Sequence, residues 1–326
     1  MPRKLRVTTT SFAFLGPRTV EGNRASAAAY VDAAGAERAD LVCLPETLLH
    51  AGIPRADRPM DETIPGPTYD LLAERARANR VNVVAGLVER RGDRRENVAV
   101  VIDRDGQLVG RYSKIHPTTT ECEVQRITPG HQTGVVDLDV GRIGLAICFD
   151  VGWPRVWQEL SDRGAELVVW PSAYDGGFPL QVYAWTHFYY VVSSVWGQHS
   201  KVIDITGRVL ASTSRWNHLT SATIDLEKQV FHVDEQVAKL HEIQTRYGAR
   251  VTAVGCSEEN VFTLESNDPT LPLGAIVAEF GLESFRDYHV RATRVQDAQR
   301  AALEQFSGSA PLSSVASGPR GRRAAP

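Results

Sequence analysis

Three side chains suited to covalent catalysis lie just past expected strands: Glu46 after LVCLP, Lys114 after GRYS and Cys148 after IGLAI. A thiol is a modest nucleophile at neutral pH and needs a base, and a carboxylate screened from water and raised in pKa can take its proton. A lysine ammonium supplies a fixed positive charge for the oxyanion that forms when sulfur attacks a carbonyl or nitrile carbon. Such a set needs no histidine. Singly, each residue has an ordinary explanation: a glutamate can cap a turn, a lysine at a strand end is usually solvated, and a buried cysteine acts as a small hydrophobe. Together they make a coherent nucleophile, base and electrostatic stabiliser.

The elements that must position them can be read along the chain. Cys148 lies in GRIGLAICFDVGWP (141–154), where a Gly-Arg turn leads into an apolar run that ends at the cysteine. Pro154 can open the following helix because its missing N–H costs nothing there, so the sulfur falls at a strand-to-helix turn beside backbone N–H groups. Upstream, 5–14 is β-rich, 21–38 is Ala-rich with helical spacing, and 40–46 is a compact apolar run, a strand–helix–strand order. A helix over 67–80, a strand over 81–90 and two β runs over 96–114 joined by Asp-Gly follow. A second hairpin over 134–148, a helix over 154–163, a strand over 165–173, a helix over 179–190 and further β runs over 191–226 complete this part. VIDRDGQLV (101–109) and VIDITGRVL (202–210) share one pattern. Two ordinary hairpins could read alike by coincidence; as a repeat, they mean two similar halves, each a sheet with helices on one side, packed as a four-layer α-β-β-α sandwich.

Composition sets the outer bounds. With 326 residues, 43% apolar and 23% charged, the chain has the makeup of a soluble globular protein of one large domain or two. A net charge of −3 argues against general nucleic-acid binding, and the cluster Arg90, Arg91, Arg94, Arg95 reads as a solvated hairpin loop. Threonines interrupt any secretory h-region in the first residues, and no run approaches the roughly 18 apolar residues of a membrane span. Four cysteines without paired spacing fit a reduced, cytoplasmic chain. No histidines are spaced as paired ligands and no Gly-rich phosphate loop follows a strand, so neither metal nor cofactor is expected. The expected organisation is a catalytic domain over 1–230, a polar helical extension over 231–306 that lies on a neighbouring subunit, and a disordered tail over 307–326 rich in Ser, Gly, Pro and Ala.

LPETLLH around Glu46, RYSKIHPTTTE around Lys114 and GLAICFDVGWP around Cys148 resemble, in order and spacing, the three signature blocks of the nitrilase, or carbon–nitrogen hydrolase, superfamily. The similarity extends over roughly 5–226, where GAELVVWPSA, YYVVSS and VIDITGRVLA also fit. The resemblance implies Glu46 as general base, Lys114 as stabiliser of the tetrahedral intermediate and Cys148 as nucleophile. It also implies the four-layer sandwich and an assembly built from homodimers or a higher homo-oligomer. The family's second active-site glutamate corresponds to Glu121 by ungapped spacing to the cysteine, with Glu123 the alternative. The Phe149 backbone N–H would join Lys114 in holding the oxyanion. Cys148-Phe149-Asp150 is more like the amide-cleaving branches than the Cys-Trp-Glu usual in true nitrilases, whereas HPTTTE resembles the nitrilase form of the lysine block. The expected substrate is thus a small-molecule amide, with a nitrile or an N-carbamoyl amino acid as alternatives; for the latter, Arg155 would have to replace the arginine usual just after the cysteine. Trp170 and Tyr174, with Trp153 and Trp185, are candidates for an apolar substrate pocket. A reading of another class is a non-catalytic scaffold with the same fold.

Overall fold

The computed structural model describes residues 2–12, 19–58 and 61–307. Its first 225 residues build two six-stranded sheets. The first half runs β1 (Lys4–Thr10), α1 (Val20–Ala36), β2 (Leu41–Cys43), α2 (Pro67–Asn79), β3 (Asn82–Arg91), β4 (Arg94–Ile102), β5 (Leu108–Ser113) and a short α3 (Thr119–Glu123). Then come β6 (Gly134–Leu138), β7 (Gly141–Leu145), α4 (Pro154–Asp162), β8 (Leu167–Ser172), α5 (Phe178–His187), β9 (Tyr190–Val195), β10 (Lys201–Ile203), β11 (Val209–Ser212) and β12 (Leu219–Asp225). One sheet has the order β12-β1-β2-β3-β4-β5 and the other β11-β10-β9-β8-β7-β6. In each, three parallel strands are followed by two antiparallel ones. Each half also lends its last strand to the other's sheet: β6 pairs with β7, and β12 with β1.

Period-two alternation divides the side chains between layers. Leu41, Cys43, Val84, Ala99 and Val101 face Ile143, Leu145, Leu167, Val169 and Val192 in the core between the sheets. The intervening residues Val42, Leu44, Val83, Val98 and Val100 pack under α1 and α2, while Val168, Trp170 and Val191 pack under α4 and α5. The result is the α-β-β-α sandwich. The two VID hairpins behave as a true repeat: Gly106 N–H donates to Asp103 O and Gly207 N–H to Asp204 O, and both ladders shift register one residue before the Asp.

The region after 230 differs from the expected helical arm. β13 (Gln229–His232) straddles the expected boundary and joins β14 (Val251–Cys256) and β15 (Val261–Ser266) in a three-stranded antiparallel sheet. With α6 (Val237–Tyr247) and α7 (Leu273–Phe280), this sheet encloses its own core of Phe231, Ile243, Phe262, Leu264 and Ile276. Alternating β-branched residues in VTAVGC and VFTLES supply strands that the flanking polar helices obscure. α8 (Phe285–Ser307) follows, most of its described side chains exposed. The tail expected to be disordered lies, from 308 on, outside the described residues. No helix among the described residues is long and apolar enough to cross a membrane.

Candidate active site

Glu46, Lys114 and Cys148 come from two sheets to one point. Glu46 follows β2, where Pro45 ends the strand and Thr47 takes a left-handed φ of 39° before the 3₁₀ turn Leu48–His50. Gly86 on β3 makes room for it, since a Cβ there would meet the Glu46 Cα at 2.4 Å. Lys114 extends β5, its backbone N–H donating to Asn97 O on β4 at 2.9 Å. Cys148 opens a 3₁₀ turn beyond β7 with a φ of 43°, a backbone conformation that few non-glycine residues adopt and that clusters at functional turns.

The Lys114 ammonium, fully buried, donates to Glu46 Oε1 at 2.8 Å and to Glu121 Oε2 and Oε1 at 2.8 and 3.1 Å. Glu46 Oε2 accepts the Ala173 N–H at 2.9 Å. The Cys148 sulfur lies within electrostatic reach of Glu46 and Lys114, and the Ser172 hydroxyl and the Ala173 N–H act on the thiol in the direction that favours its ionised form. Burial alone would lower the Lys114 pKa, but the charges of Glu46, Cys148 and Glu121 outweigh it and raise it, so the lysine stays an ammonium. Burial would raise Glu121, yet Lys114 and the hydrogen bonds from Lys114, Thr118 and Asn97 hold it below the usual carboxylate range. Burial, then the Glu46 charge, pushes the Cys148 thiol up against the opposing pull of Lys114, leaving it a neutral thiol at pH 7. The arrangement can therefore deprotonate sulfur only as it reacts, and can hold negative charge beside an ammonium.

Of the two candidate second glutamates, Glu121 reaches the ammonium while Glu123 is exposed. Glu121 also closes a capping box, its Oε2 accepting the Thr118 N–H at 2.7 Å while Thr118 Oγ1 accepts the Glu121 N–H at 3.2 Å. The sequence signal is double, because Thr120 to Glu123 has the same T-x-x-E spacing. The Phe149 backbone follows the cysteine in the turn, and its ring, 41% exposed, packs edge-on against Trp153. Trp170 has no exposed surface: it packs in the core under α4 and α5, and its Nε1 donates to Cys148 O at 3.0 Å, so it holds the cysteine rather than walling a pocket. Tyr174 is 43% exposed, and burial followed by the charges of Cys148 and Glu46 raises its phenol to about 12. Arg155 lies on the α4 surface, paired with Glu159 at 2.7 Å.

Sequence reasoning missed two residues. Asn97, buried on β4, donates from one Nδ2 to Glu46 Oε1 at 2.7 Å and to Glu121 Oε1 at 2.8 Å, bridging the carboxylates. Asp150, fully buried, accepts the Ile147 N–H at 2.9 Å and the Tyr112 hydroxyl at 2.7 Å on one oxygen, and the His116 N–H at 2.9 Å on the other. It thereby ties the cysteine turn to the lysine segment, and His116 stacks on Trp153 with ring centroids 4.0 Å apart. Asn97 gave no signal of its own, since it follows Arg94, Arg95 and Glu96 at the polar start of β4. Among the described residues no group of His, Cys, Asp and Glu could hold a metal ion.

Comparison with known proteins shows which family the chain is similar to. The chain is 30% identical over 185 residues to a chloroplastic omega-amidase of Arabidopsis thaliana, covering 49% of this chain and half of that protein's length. It is 27% identical over 235 residues to a human omega-amidase, covering 63% of this chain and 84% of the relative. The crystal structure of an amidase from Nesterenkonia sp. superposes with a TM-score of 0.60 at 21% identity, over 73% of this chain and 95% of that one, a likeness of fold. The family model described as carbon-nitrogen hydrolase matches residues 15–229, and with the sandwich and its paired sheets this establishes that the chain belongs to the carbon–nitrogen hydrolase family of the nitrilase superfamily.

Proposed function

We propose that this chain hydrolyses the carbon–nitrogen bond of a small amide through a thioester on Cys148, releasing ammonia or an amine and a carboxylic acid. The observation that carries the reading is the Lys114 ammonium shared by Glu46 and Glu121, with the buried Cys148 thiol within electrostatic reach of Glu46 and Lys114. In the first half-reaction Glu46 takes the thiol proton as sulfur attacks the carbonyl carbon. Lys114 and the Phe149 backbone N–H hold the oxyanion. The carbon–nitrogen bond then breaks and the leaving nitrogen takes the proton from Glu46. In the second half, water gives a proton to Glu46 and attacks the thioester; the carbon–sulfur bond breaks, sulfur regains the proton, and the acid leaves. Glu121 and Asn97 act as positioning residues that fix the ammonium and the base.

Support for an amide over a nitrile comes from the Cys-Phe-Asp sequence at the nucleophile and from relatives named omega-amidases. The test is an ammonia-release screen over short amides, N-carbamoyl amino acids and nitriles. Amides turning over fastest is the expected result; nitriles outpacing every amide would reverse the assignment, and no turnover of any class would favour a scaffold. A homo-oligomer belongs to the same reading, supported by the exposed Phe178 and Val182 on α5, and light scattering that finds only monomer would remove it.

A further inference from the structure

The edges of the two main sheets face one another: β5 lies beside β6, and β11 beside β12. In the C-terminal sheet the outer side of β13 carries a bridge from Phe231 to Ser284. β14 (Val251–Cys256), at the opposite end, is left open. Among the described residues none of Thr252, Ala253, Val254 and Gly255 makes a backbone hydrogen bond beyond the ladder with β15. Alternate N–H and C=O groups of an antiparallel strand point away from its partner, so on β14 they point outward. Val254 is 39% exposed, and a Cβ added at Gly255 would meet nothing within 4 Å.

Sheet edges are commonly blunted by lysine, proline, a bulge or brevity. VTAVGC has no charge and no proline, and it pairs with β15 over all six residues without a register shift. It is also held firmly. Cys256 is buried in the core between the main sheets, Asn267 Nδ2 donates to Thr252 Oγ1 at 2.8 Å, and Arg208 of the β10–β11 turn pairs with Glu259 of the β14–β15 turn at 3.8 Å. A fixed, uncharged edge is a template for another strand.

We propose that β14 pairs antiparallel with β14 of a second copy of this chain, joining two three-stranded sheets into one of six. The residues flanking the strand argue for a second copy as the occupant. A two-fold axis between antiparallel strands requires one residue to stand opposite its own copy, since outward-pointing backbone groups must meet their own kind. With Val254 on the axis, Thr252 meets Cys256 and Arg250 meets Glu258, so the basic start of each strand lies against the acidic end of the other. Both charged residues are exposed, and the bond from Arg250 Nε to Asp268 at 2.6 Å holds the guanidinium at that end. Centred on Ala253, the arginine would meet Cys256 and the match is lost; paired in parallel, arginine would meet arginine. Six residues a side cover less than the roughly 1,200 Å² of a permanent interface, so the association should depend on concentration. This face is separate from the exposed Phe178 and Val182 of α5 and does not depend on the hydrolase reading.

Sedimentation velocity of the full chain, from low to high micromolar concentration, tests the pairing. The wild type should double in mass across this range, whatever species it forms at the lowest concentration. Val254→Lys sets two ammonium groups opposite each other and should move the midpoint of that step up by about 10-fold or more, while the neutral, β-branched Val254→Thr should keep it. Disulfide trapping reads the register without relying on the charged variant to fold. Under mild oxidation Val254→Cys should run as a covalent dimer on a non-reducing gel, whereas the wild type and Glu265→Cys, on the next strand inward, should not. No doubling by the wild type overturns the proposal, and so does equal doubling by Val254→Lys, which would assign the association to another face. Val254→Cys crosslinking no more than Glu265→Cys overturns the register and the two-fold pairing with it.

Discussion

Residues 41–46 (LVCLPE) in one half of the sandwich and 167–172 (LVVWPS) in the other follow matching strands, each paired in parallel with the strand before it, Leu41 opposite Val7 and Leu167 opposite Ile143. Yet the first run ends in Glu46 and the second in Ser172. The same register puts Phe12, a buried core residue, in the place of Cys148, and the VID hairpins put the exposed Arg215 in the place of Lys114. Backbone is repeated and chemistry is not. The proposed thiol chemistry needs one nucleophile and one base at one point, and the site brings together Glu46 and Lys114 from one half and Cys148 from the other. Ser172, the counterpart of Glu46, instead acts on the thiol itself, in the direction that favours its ionised form.

Substitutions at matched positions should separate the halves sharply. Glu46→Gln keeps shape and removes the base, and Lys114→Met removes the oxyanion charge; each should lower kcat by about 10³-fold or more in steady-state assays, with far-UV circular dichroism unchanged. Asn97→Leu strips both carboxylates of their shared donor and should cost about 10- to 100-fold in kcat with little change in KM. Ser172→Ala should cost no more than about 10-fold, and Arg215→Ala nothing measurable. A loss at Arg215 equal to that at Lys114 would mean the halves share the chemistry after all.

The smallest effect is on stability against pH. Glu121 has its folded pKa below the reference value of 4.5, so its contribution is present above about pH 4.5 and is lost as pH falls through the folded value. Lys114 is raised above 10.5, so its contribution is complete below that pH and is lost only in stronger alkali. Urea unfolding should therefore show a wild-type advantage over Glu121→Gln that is flat from about pH 6 to 9 and shrinks in acid. An advantage that grows on acidification would contradict the ion pairing.

The three proposed catalytic residues were legible because each stands just past a strand, Glu46 after LVCLP, Lys114 after LVGRYS and Cys148 after GRIGLAI, and a polar residue there is presented at a sheet end. The repeat was legible through its turn chemistry, Asp103–Gly106 and Asp204–Gly207. Asn97 was not, because its importance arises from register: only pairing with Val88 and the bond from the Lys114 N–H put it between two carboxylates. Trp170 and Tyr174 show the same limit, since an aromatic type does not say whether a ring is packed under the cysteine or open to solvent. The C-terminal sheet was missed for another reason: β13 finds its partner β15 only after a helix and a strand intervene.

The most direct test of the account is intact-protein mass spectrometry during rapid-quench turnover of a short amide, followed by peptide mapping. The expected result is a transient acyl adduct on Cys148 that forms as ammonia is released, decays at the turnover rate, and is absent from Cys148→Ala. Ammonia release without any adduct, or substantial turnover by Cys148→Ala, would contradict the thioester and with it the role given to every residue around the sulfur.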